Sequence, residues 1–136
     1  MKGVIRIPMV AHSDARGVLV APQSPALPFE VSNYFYIANV PPAEARACHS
    51  SCSDEALIVV HGSVMVDLDN GVEQASVLLK PAQDVLCVHA GVYLRLHRFA
   101  PDTIMVVLAS RPYSRGSRHD HPQPDLIGSG WEGVGL

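Results

Sequence analysis

Hydrophobic residues recur along this chain in short runs that are rich in Val, Ile, Leu and Tyr. Pro, Gly, Asn and Asp separate the runs, which is the pattern of short β-strands joined by turns. No segment has the sustained apolar period of an amphipathic helix, and the best helix candidate, residues 42–47, is too short to matter. The pattern predicts strands at residues 4–7, 18–21, 31–38, 56–60, 63–68, 74–79, 85–88, 92–97 and 103–109.

Two of the connections carry a glycine turn signal. Asp69-Asn70-Gly71 predicts a hairpin with a type I′ turn, because Asn-Gly tolerates the positive φ angles of that turn. His61-Gly62 predicts a second tight turn. Many short strands with regular turn signals, and no internal repeat, indicate an all-β sandwich or jelly-roll barrel.

The composition changes after the last predicted strand. Residues 111–136 are rich in Pro, Gly, Ser and His and have no strand period. We interpret them as a C-terminal tail that is either draped on the barrel or disordered, with Trp131 as a candidate anchor. The expected organisation is a jelly-roll domain at residues 1–110 followed by a tail at residues 111–136.

Composition excludes several classes of function. A chain of 136 residues with 48% hydrophobic and 17% charged residues is one domain with a sizeable core. The net charge of −3 argues against a nucleic-acid-binding surface. No apolar run is long enough to span a membrane, and the N-terminus lacks a signal-peptide core. We therefore expect a cytoplasmic protein whose three cysteines are reduced.

The stretch at residues 46–62 is the best candidate for chemistry. It places His49 in a polar loop and Glu55 six residues later, just before a short apolar run, as expected for a polar cluster at the mouth of a buried strand. If strand alternation holds, Glu55 shares one face with Leu57, Val59 and His61, and an inward carboxyl there would have its pKa tuned by burial and by His49.

Two cysteines flank this histidine in the sequence. Cys48 is adjacent to His49, but neighbours in a strand point to opposite faces, which argues against a thiol–imidazole dyad. We expect Cys48 and Cys52 to be unreactive.

The same stretch resembles the motif of the metal-binding cupins, which is His-x-His followed by Glu and then Gly. Here the motif is His49-x-Ser51, Glu55 and Gly62, and the family's second motif ends at Leu94 instead of histidine. One imidazole and one carboxylate make a poor cage for a first-row metal, so we expect no bound metal. Replacement ligands would have to come from the remaining candidates, His61, His89 and His97, which are more simply turn and surface histidines.

A second resemblance is closer. An ordered set of motifs is similar to the sugar nucleotide 3,4-ketoisomerases, the WxcM-like (FdtA-like) cupins, and covers about residues 4–110. The matches are D-x-R-G-x-L-V-A at 14–21, I-P-F-E-I at 27–31, V-Y-Y-I at 34–37, R-G-x-H at 46–49, V-S-G-S at 60–63, L-D-D-G at 67–71 and the closing strand at 106–110.

The resemblance implies a cupin jelly roll that forms a homodimer by exchanging an N-terminal strand. It also implies a thymidine-diphosphate sugar as substrate, no metal, and two histidines that convert a 4-keto sugar into a 3-keto sugar. This reaction needs a base for the proton α to the carbonyl and an acid that moves a proton between the enediol oxygens. Imidazole suits both tasks because it titrates near neutral pH.

The chain departs from the family at the catalytic positions. Ser51 stands in place of the second histidine, and Glu55 matches a glutamine of the family after a loop that is one residue shorter. Tyr93-Leu94-Arg95 stands where the family has W-H-E, so a further histidine is absent. The nucleotide-binding features are better kept than the catalytic ones.

Each candidate residue has an expected role. His49 is the expected base, and Glu55 or a bound water is the expected acid. Paired guanidinium donors suit phosphate oxygens, so arginines would hold the diphosphate, and aromatic or hydroxyl side chains would contact the sugar or base. The expected substrate-binding residues are Arg16, Tyr36, Arg46, Ser51 and Tyr93.

The sequence therefore predicts an all-β cupin jelly-roll barrel, a homodimer without cofactors, that isomerises a dTDP-4-keto-6-deoxy sugar. The first alternative is another enzyme on the same barrel, such as an epimerase, a dehydratase or a cyclase. A non-catalytic cupin that binds a nucleotide sugar is the second. A metal-dependent oxygenase is a third, which the ligand count disfavours.

Overall fold

The structure is a computed structural model that describes residues 1–23, 27–112, 114–128 and 131. In this part of the chain eleven strands are found, and all of their pairings are antiparallel. They are β1 (Val4–Asp14), β2 (Gly17–Pro22), β3 (Asn33–Ala38), β4 (Arg46–Ser51), β5 (Glu55–His61), β6 (Val64–Asp69), β7 (Gln74–Leu79), β8 (Asp84–Val88), β9 (Tyr93–His97), β10 (Ile104–Ala109) and β11 (Arg118–His119).

The strands form two sheets that share one core. The larger sheet has the order β2-β1-β8-β5-β10-β3, and the smaller has the order β11-β4-β9-β6-β7. Buried side chains of both sheets pack together, among them Leu57 and Met105 from the larger and Val66 and Leu96 from the smaller. This is the two-layer arrangement of a jelly roll, so the predicted fold class is confirmed.

All nine predicted strands are present, but β4 and β11 were not predicted. The sequence of β4 is polar, and Ala47 and Cys48 have φ angles of 63° and 58°, where the register against β9 shifts. A bulge of this kind interrupts the alternation by which strands are found in a sequence. His49 therefore lies in a strand and not in the predicted loop.

The two glycine turns have different outcomes. His61-Gly62 is a tight turn, with Gly62 at a φ of 83°. The hairpin at Asn70-Gly71 is also present, but its predicted type I′ turn is wrong, because β6 and β7 are joined by residues 70–73 and only Gly71 there has a positive φ, of 92°. The Asn70 side chain accounts for the wider loop, since its Oδ1 accepts hydrogen bonds from the backbone of Val72 and Glu73.

The described part of the C-terminal segment lies on the barrel. Strand β11 pairs with β4, and the Trp131 carbonyl accepts a 2.6 Å hydrogen bond from the Gly3 backbone. The Trp131 ring stacks on Phe29 at 6.3 Å between centroids and meets the His89 ring edge-on at 4.8 Å. These contacts support the predicted anchor, while a domain boundary at residue 110 stays a prediction. Among the described residues there is no helix of the length and hydropathy needed to cross a membrane.

Candidate active site

A cavity of about 220 Å³ opens between the two sheets. Its apolar wall comes from the core-facing sides of several strands, and its polar wall comes from β4, β5 and the C-terminal segment. The apolar lining residues are Phe35, Ile37, Ala47, Leu57, Leu94, Leu96, Val107, Ala109 and Pro112. The polar lining residues are Asn33, Arg46, His49, Ser51, Ser53, Glu55, Arg111, Ser114, Ser117 and Arg118.

Strand β4 supplies part of the polar wall of the cavity. Ala47, His49 and Ser51 line the cavity, as alternate residues of a strand do. Cys48 is exposed and lies outside the described cavity wall, so its thiol and the His49 imidazole face different surroundings. The polar side chains that this strand brings to the cavity are therefore those of Arg46, His49 and Ser51.

Strand β5 brings Glu55 to the same cavity from the opposite sheet. Glu55 and Leu57 both line the cavity, and Val59 continues the buried row, so the predicted common face is confirmed for these three residues. His61 lies beyond a register shift between β5 and β10, is exposed, and has Nδ1 2.8 Å from the Asp102 carbonyl oxygen.

The surroundings of His49 favour a neutral imidazole. Its Nδ1 is buried and has no hydrogen-bond partner among the residues that the structure describes. Burial and the nearby positive charge of Arg118 lower the pKa of His49 below its usual value of 6.5. A neutral ring at pH 7 can accept a proton.

The surroundings of Glu55 favour a protonated carboxyl. Burial raises the pKa of Glu55 to about 7, against the opposing effects of the Arg118 charge and a hydrogen bond with Ser51. About half of the Glu55 side chains are therefore protonated near neutral pH, and this form can donate a proton.

Ser51 supplies a hydroxyl that is already engaged locally. Its Oγ donates to the Ser53 carbonyl at 3.1 Å and accepts from the Ser53 backbone at 3.2 Å. A hydroxyl also lacks a pKa near neutrality, so Ser51 is suited to positioning and not to proton storage.

Three arginines lie at the rim of the cavity. Arg46, which the sequence predicts, is joined by Arg111 and Arg118 from the C-terminal segment, and all three are exposed. Arg111 and Arg118 were missed because the segment was interpreted as a tail outside the jelly-roll domain. The available signal was the cluster of basic residues in this segment.

The other predicted substrate-binding residues lie outside the described cavity wall. Arg16 is exposed at the tip of the β1–β2 hairpin, with its Nη2 2.6 Å from the Asp14 carboxylate. Tyr36 is 73% exposed on the outer face of β3, whose inward residue at this point is Phe35. Tyr93 lines a surface depression with Asp67 on the outer face of the smaller sheet.

The candidate replacement ligands for a metal do not converge on this site. His61, His89 and His97 are absent from the described cavity wall. Within residues 1–23, 27–112, 114–128 and 131, no group of three or more His, Cys, Asp or Glu side chains is arranged to hold a metal ion. The buried thiol of Cys87 is a poor ligand for a separate reason, because burial raises its pKa to about 12.

Comparisons with known proteins agree with this geometry. The family model described as "WxcM-like, C-terminal" (FdtA) matches residues 2–120. A TDP-4-oxo-6-deoxy-alpha-D-glucose-3,4-oxoisomerase from Aneurinibacillus thermoaerophilus is 35% identical over 103 residues, which are 74% of this chain and 73% of the relative.

Solved structures have the same fold. A mutant of the 3,4-ketoisomerase QdtA from Thermoanaerobacterium thermosaccharolyticum, in complex with TDP-4-keto-6-deoxyglucose, superposes with a TM-score of 0.80 at 23% identity and 89% coverage of each chain. A 3,4-ketoisomerase from Helicobacter canadensis gives 0.80 at 24% identity, with 88% of this chain and 92% of that chain covered. The chain therefore belongs to the WxcM-like, FdtA family, and the family resemblance of its motifs is confirmed.

Proposed function

We propose that this protein is a sugar-nucleotide 3,4-ketoisomerase in which Glu55 has taken the role of the second family histidine. The observation that carries the proposal is one cavity, lined by His49 and Glu55 from opposite sheets, in a member of this family. Their surroundings favour a neutral histidine and keep about half of the Glu55 carboxyls protonated near pH 7, which are the forms that a base and an acid need.

The reaction then proceeds through an enediol. The neutral His49 imidazole removes the proton from C3, which is α to the C4 ketone, while Glu55 donates its proton to O4. The Glu55 carboxylate next accepts the proton of the O3 hydroxyl, and protonated His49 returns a proton to C4. The ketone is now at C3, C4 carries a hydroxyl, and both side chains have regained their starting states.

The cavity is suited to the sugar and not to the whole nucleotide sugar. Its volume of about 220 Å³ is below the roughly 300–1,000 Å³ of pockets that enclose drug-sized ligands. The sugar ring would occupy the space between His49 and Glu55, and the diphosphate would lie at the rim among the arginines. Relatives that are TDP-sugar isomerases support TDP-4-keto-6-deoxyglucose as the first substrate to test.

We also propose that the working unit is a homodimer joined through the β1–β2 hairpin. The hairpin exposes Val18, Leu19 and Val20, with relative exposures of 63%, 62% and 39%, although these are large apolar side chains. A second copy is the simplest cover, and it would bring Arg16 from the hairpin tip to another chain's cavity, which Arg16 does not line in its own chain. Tyr36 and Tyr93 likewise lie outside the described cavity wall of their own chain, so they stay candidate substrate contacts that a second copy would bring to the site.

The proposal also includes proton transfer without a metal and a cytoplasmic location, and each of these rests on particular side chains. Ser51 and Leu94 stand where metal-binding cupins have histidines, which supports proton transfer without a metal. The thiols of Cys48, Cys52 and Cys87 are free, which supports the cytoplasm as the compartment.

The test is isomerisation of TDP-4-keto-6-deoxyglucose in deuterated water, followed by NMR at C3 and C4. The wild-type protein should exchange the C3 proton and form the 3-keto sugar. His49→Asn should abolish both events, and Glu55→Gln should slow isomerisation by roughly 10²–10⁴-fold. His61→Asn is the matched control, because His61 is exposed outside the cavity wall, and it should retain wild-type turnover.

Two other outcomes would replace the proposal. Substrate binding without exchange or turnover, unchanged in His49→Asn, would identify a binding protein. Turnover of the TDP-sugar that appears only in Ser51→His would show a retained substrate with lost ketoisomerase chemistry. Absence of both binding and exchange would remove the nucleotide-sugar assignment.

A further inference from the structure

The C-terminal segment forms one wall of the cavity. Five of its described residues line the space that also contains His49 and Glu55; these are Arg111, Pro112, Ser114, Ser117 and Arg118. The segment is therefore part of the site.

The backbone position of Arg118 is fixed by pairing with the polar end of β4. Arg118 is opposite Ser51 in the β4–β11 ladder, and the Cys52 backbone donates a 3.1 Å hydrogen bond to the Ser117 carbonyl. The buried Ser50 hydroxyl donates to the His121 carbonyl at 2.7 Å, just beyond β11. Arg118 is thus held beside the strand that carries His49.

The charge around the cavity is opposite to that of the whole protein. The chain has a net charge of −3, whereas the charged and titratable groups that line the cavity are Arg46, Arg111, Arg118, His49 and Glu55. With a neutral imidazole, three guanidinium groups face at most one carboxylate among the described residues that line the cavity. A concave site of one charge sign attracts a ligand of the opposite sign, here an anion.

Arg118 also acts on both proposed proton-transfer groups. Its positive charge lowers the pKa of His49 and opposes the rise in the pKa of Glu55 that burial causes. An anion bound to Arg118 would offset this charge and favour the protonated form of each group. Arg118 is therefore placed to link the anionic part of a substrate to the groups that transfer protons.

We propose that Arg118 binds the diphosphate of the nucleotide sugar at the cavity rim and thereby places the sugar ring between His49 and Glu55. This inference rests on the proposed function, because it takes a nucleotide sugar as the ligand. A guanidinium group is suited to the task, since it offers paired donors to phosphate oxygens and stays charged at all relevant pH values.

The experiment measures binding by calorimetry with three probes, thymidine diphosphate, thymidine monophosphate and thymidine. Wild-type protein, Arg118→Gln, Arg118→Lys and Arg98→Gln are compared after circular dichroism has verified their fold. Arg98 is the matched control, because it is an exposed arginine outside the described cavity wall.

Arg118→Gln should weaken thymidine diphosphate binding by about 10- to 100-fold and leave thymidine binding unchanged. Arg118→Lys should recover part of the loss, and Arg98→Gln should match the wild type.

A second readout separates an electrostatic role from a structural one. Arg118→Gln should raise the KM for the keto sugar and move both limbs of the pH–rate profile to higher pH, whereas Arg118→Lys should keep the limbs in place. Wild-type binding of thymidine diphosphate by Arg118→Gln, or a loss equal for all three probes, would overturn the inference. Failure of the wild-type protein to bind thymidine diphosphate would instead overturn the proposed function.

Discussion

The surroundings of His49 and Glu55 move their pKa values in opposite directions, which suits these two residues to the proposed acid–base pair. With ordinary pKa values of about 6.5 and 4.5, the form with neutral histidine and protonated glutamate never exceeds about 1% of the molecules. Here burial raises the pKa of Glu55 to about 7, while burial and Arg118 lower that of His49. The competent form becomes the major one between the two values, so a carboxyl can replace the missing imidazole.

The pH dependence of turnover follows from these directions. We expect a bell-shaped plot of kcat/KM, which rises as His49 loses its proton below pH 6.5 and falls as Glu55 loses its proton near pH 7. The residual activity of Glu55→Gln should lack the alkaline limb, because an amide does not titrate. Rates measured from pH 5 to pH 9 check this, and an alkaline limb near pH 7 in Glu55→Gln would assign that limb to another group.

The free energy of unfolding should also depend on pH through Glu55. The pKa of Glu55 is raised in the folded state, so its contribution is fully present below the unfolded value of 4.5 and is lost as the pH rises through about 7. The loss in the free energy of unfolding is at most about 3 kcal/mol, and Glu55→Gln should not show it. Urea denaturation of both proteins at pH 4.5 and pH 8 gives the comparison, and an equal pH dependence would contradict the buried carboxyl.

At the scale of elements, the sequence predicts the strands in which buried and exposed residues alternate, and it does not predict the strands that lack this alternation. Alternation predicted β5 and the common face of Glu55 and Leu57, because burial of one strand face imposes a period of two. It did not predict β4, whose positive-φ bulge lies in the polar stretch that carries His49. The position of Arg118 depends on a pairing with Ser51 across 67 residues, and a two-residue strand has no periodic pattern to predict it.

The β5–β6 turn should not tolerate a side chain at Gly62. Gly62 has a φ of 83°, and a Cβ there would lie 2.7 Å from the Thr103 Cα. Gly62→Ala should lower the free energy of unfolding by about 2 kcal/mol or more, because both the backbone angle and the contact are unfavourable. Gly116→Ala is the control, since no atom of the residues that the structure describes lies within 4 Å of a Cβ at that position. Equal urea midpoints for the two variants would contradict this account.

At the scale of the whole molecule, the β1–β2 hairpin exposes apolar side chains that the single chain leaves uncovered. All of β2 except Ala21 is exposed, and β2 and β3 are the two edges of the larger sheet. Exposed edge strands with apolar side chains invite pairing with another chain, and natural proteins usually cover or charge them. Here the hairpin carries Val18 and Leu19 next to Arg16, so one surface combines an apolar contact with a predicted ligand of the diphosphate.

A substitution in the hairpin therefore tests whether the site needs a second copy of the chain. Leu19→Asp should convert a dimer into a monomer, because the carboxylate would have to be buried against the second copy. Val72→Asp is the matched control, since Val72 is 87% exposed in the β6–β7 loop, far along the chain from the hairpin. Sedimentation equilibrium measures the mass of each variant, and a turnover assay measures the effect on activity.

If Arg16 acts in the cavity of its partner, the Leu19→Asp monomer and an Arg16→Gln dimer should lose affinity for thymidine diphosphate to a similar degree. A wild-type monomer with full turnover would show instead that each chain's cavity is sufficient without Arg16.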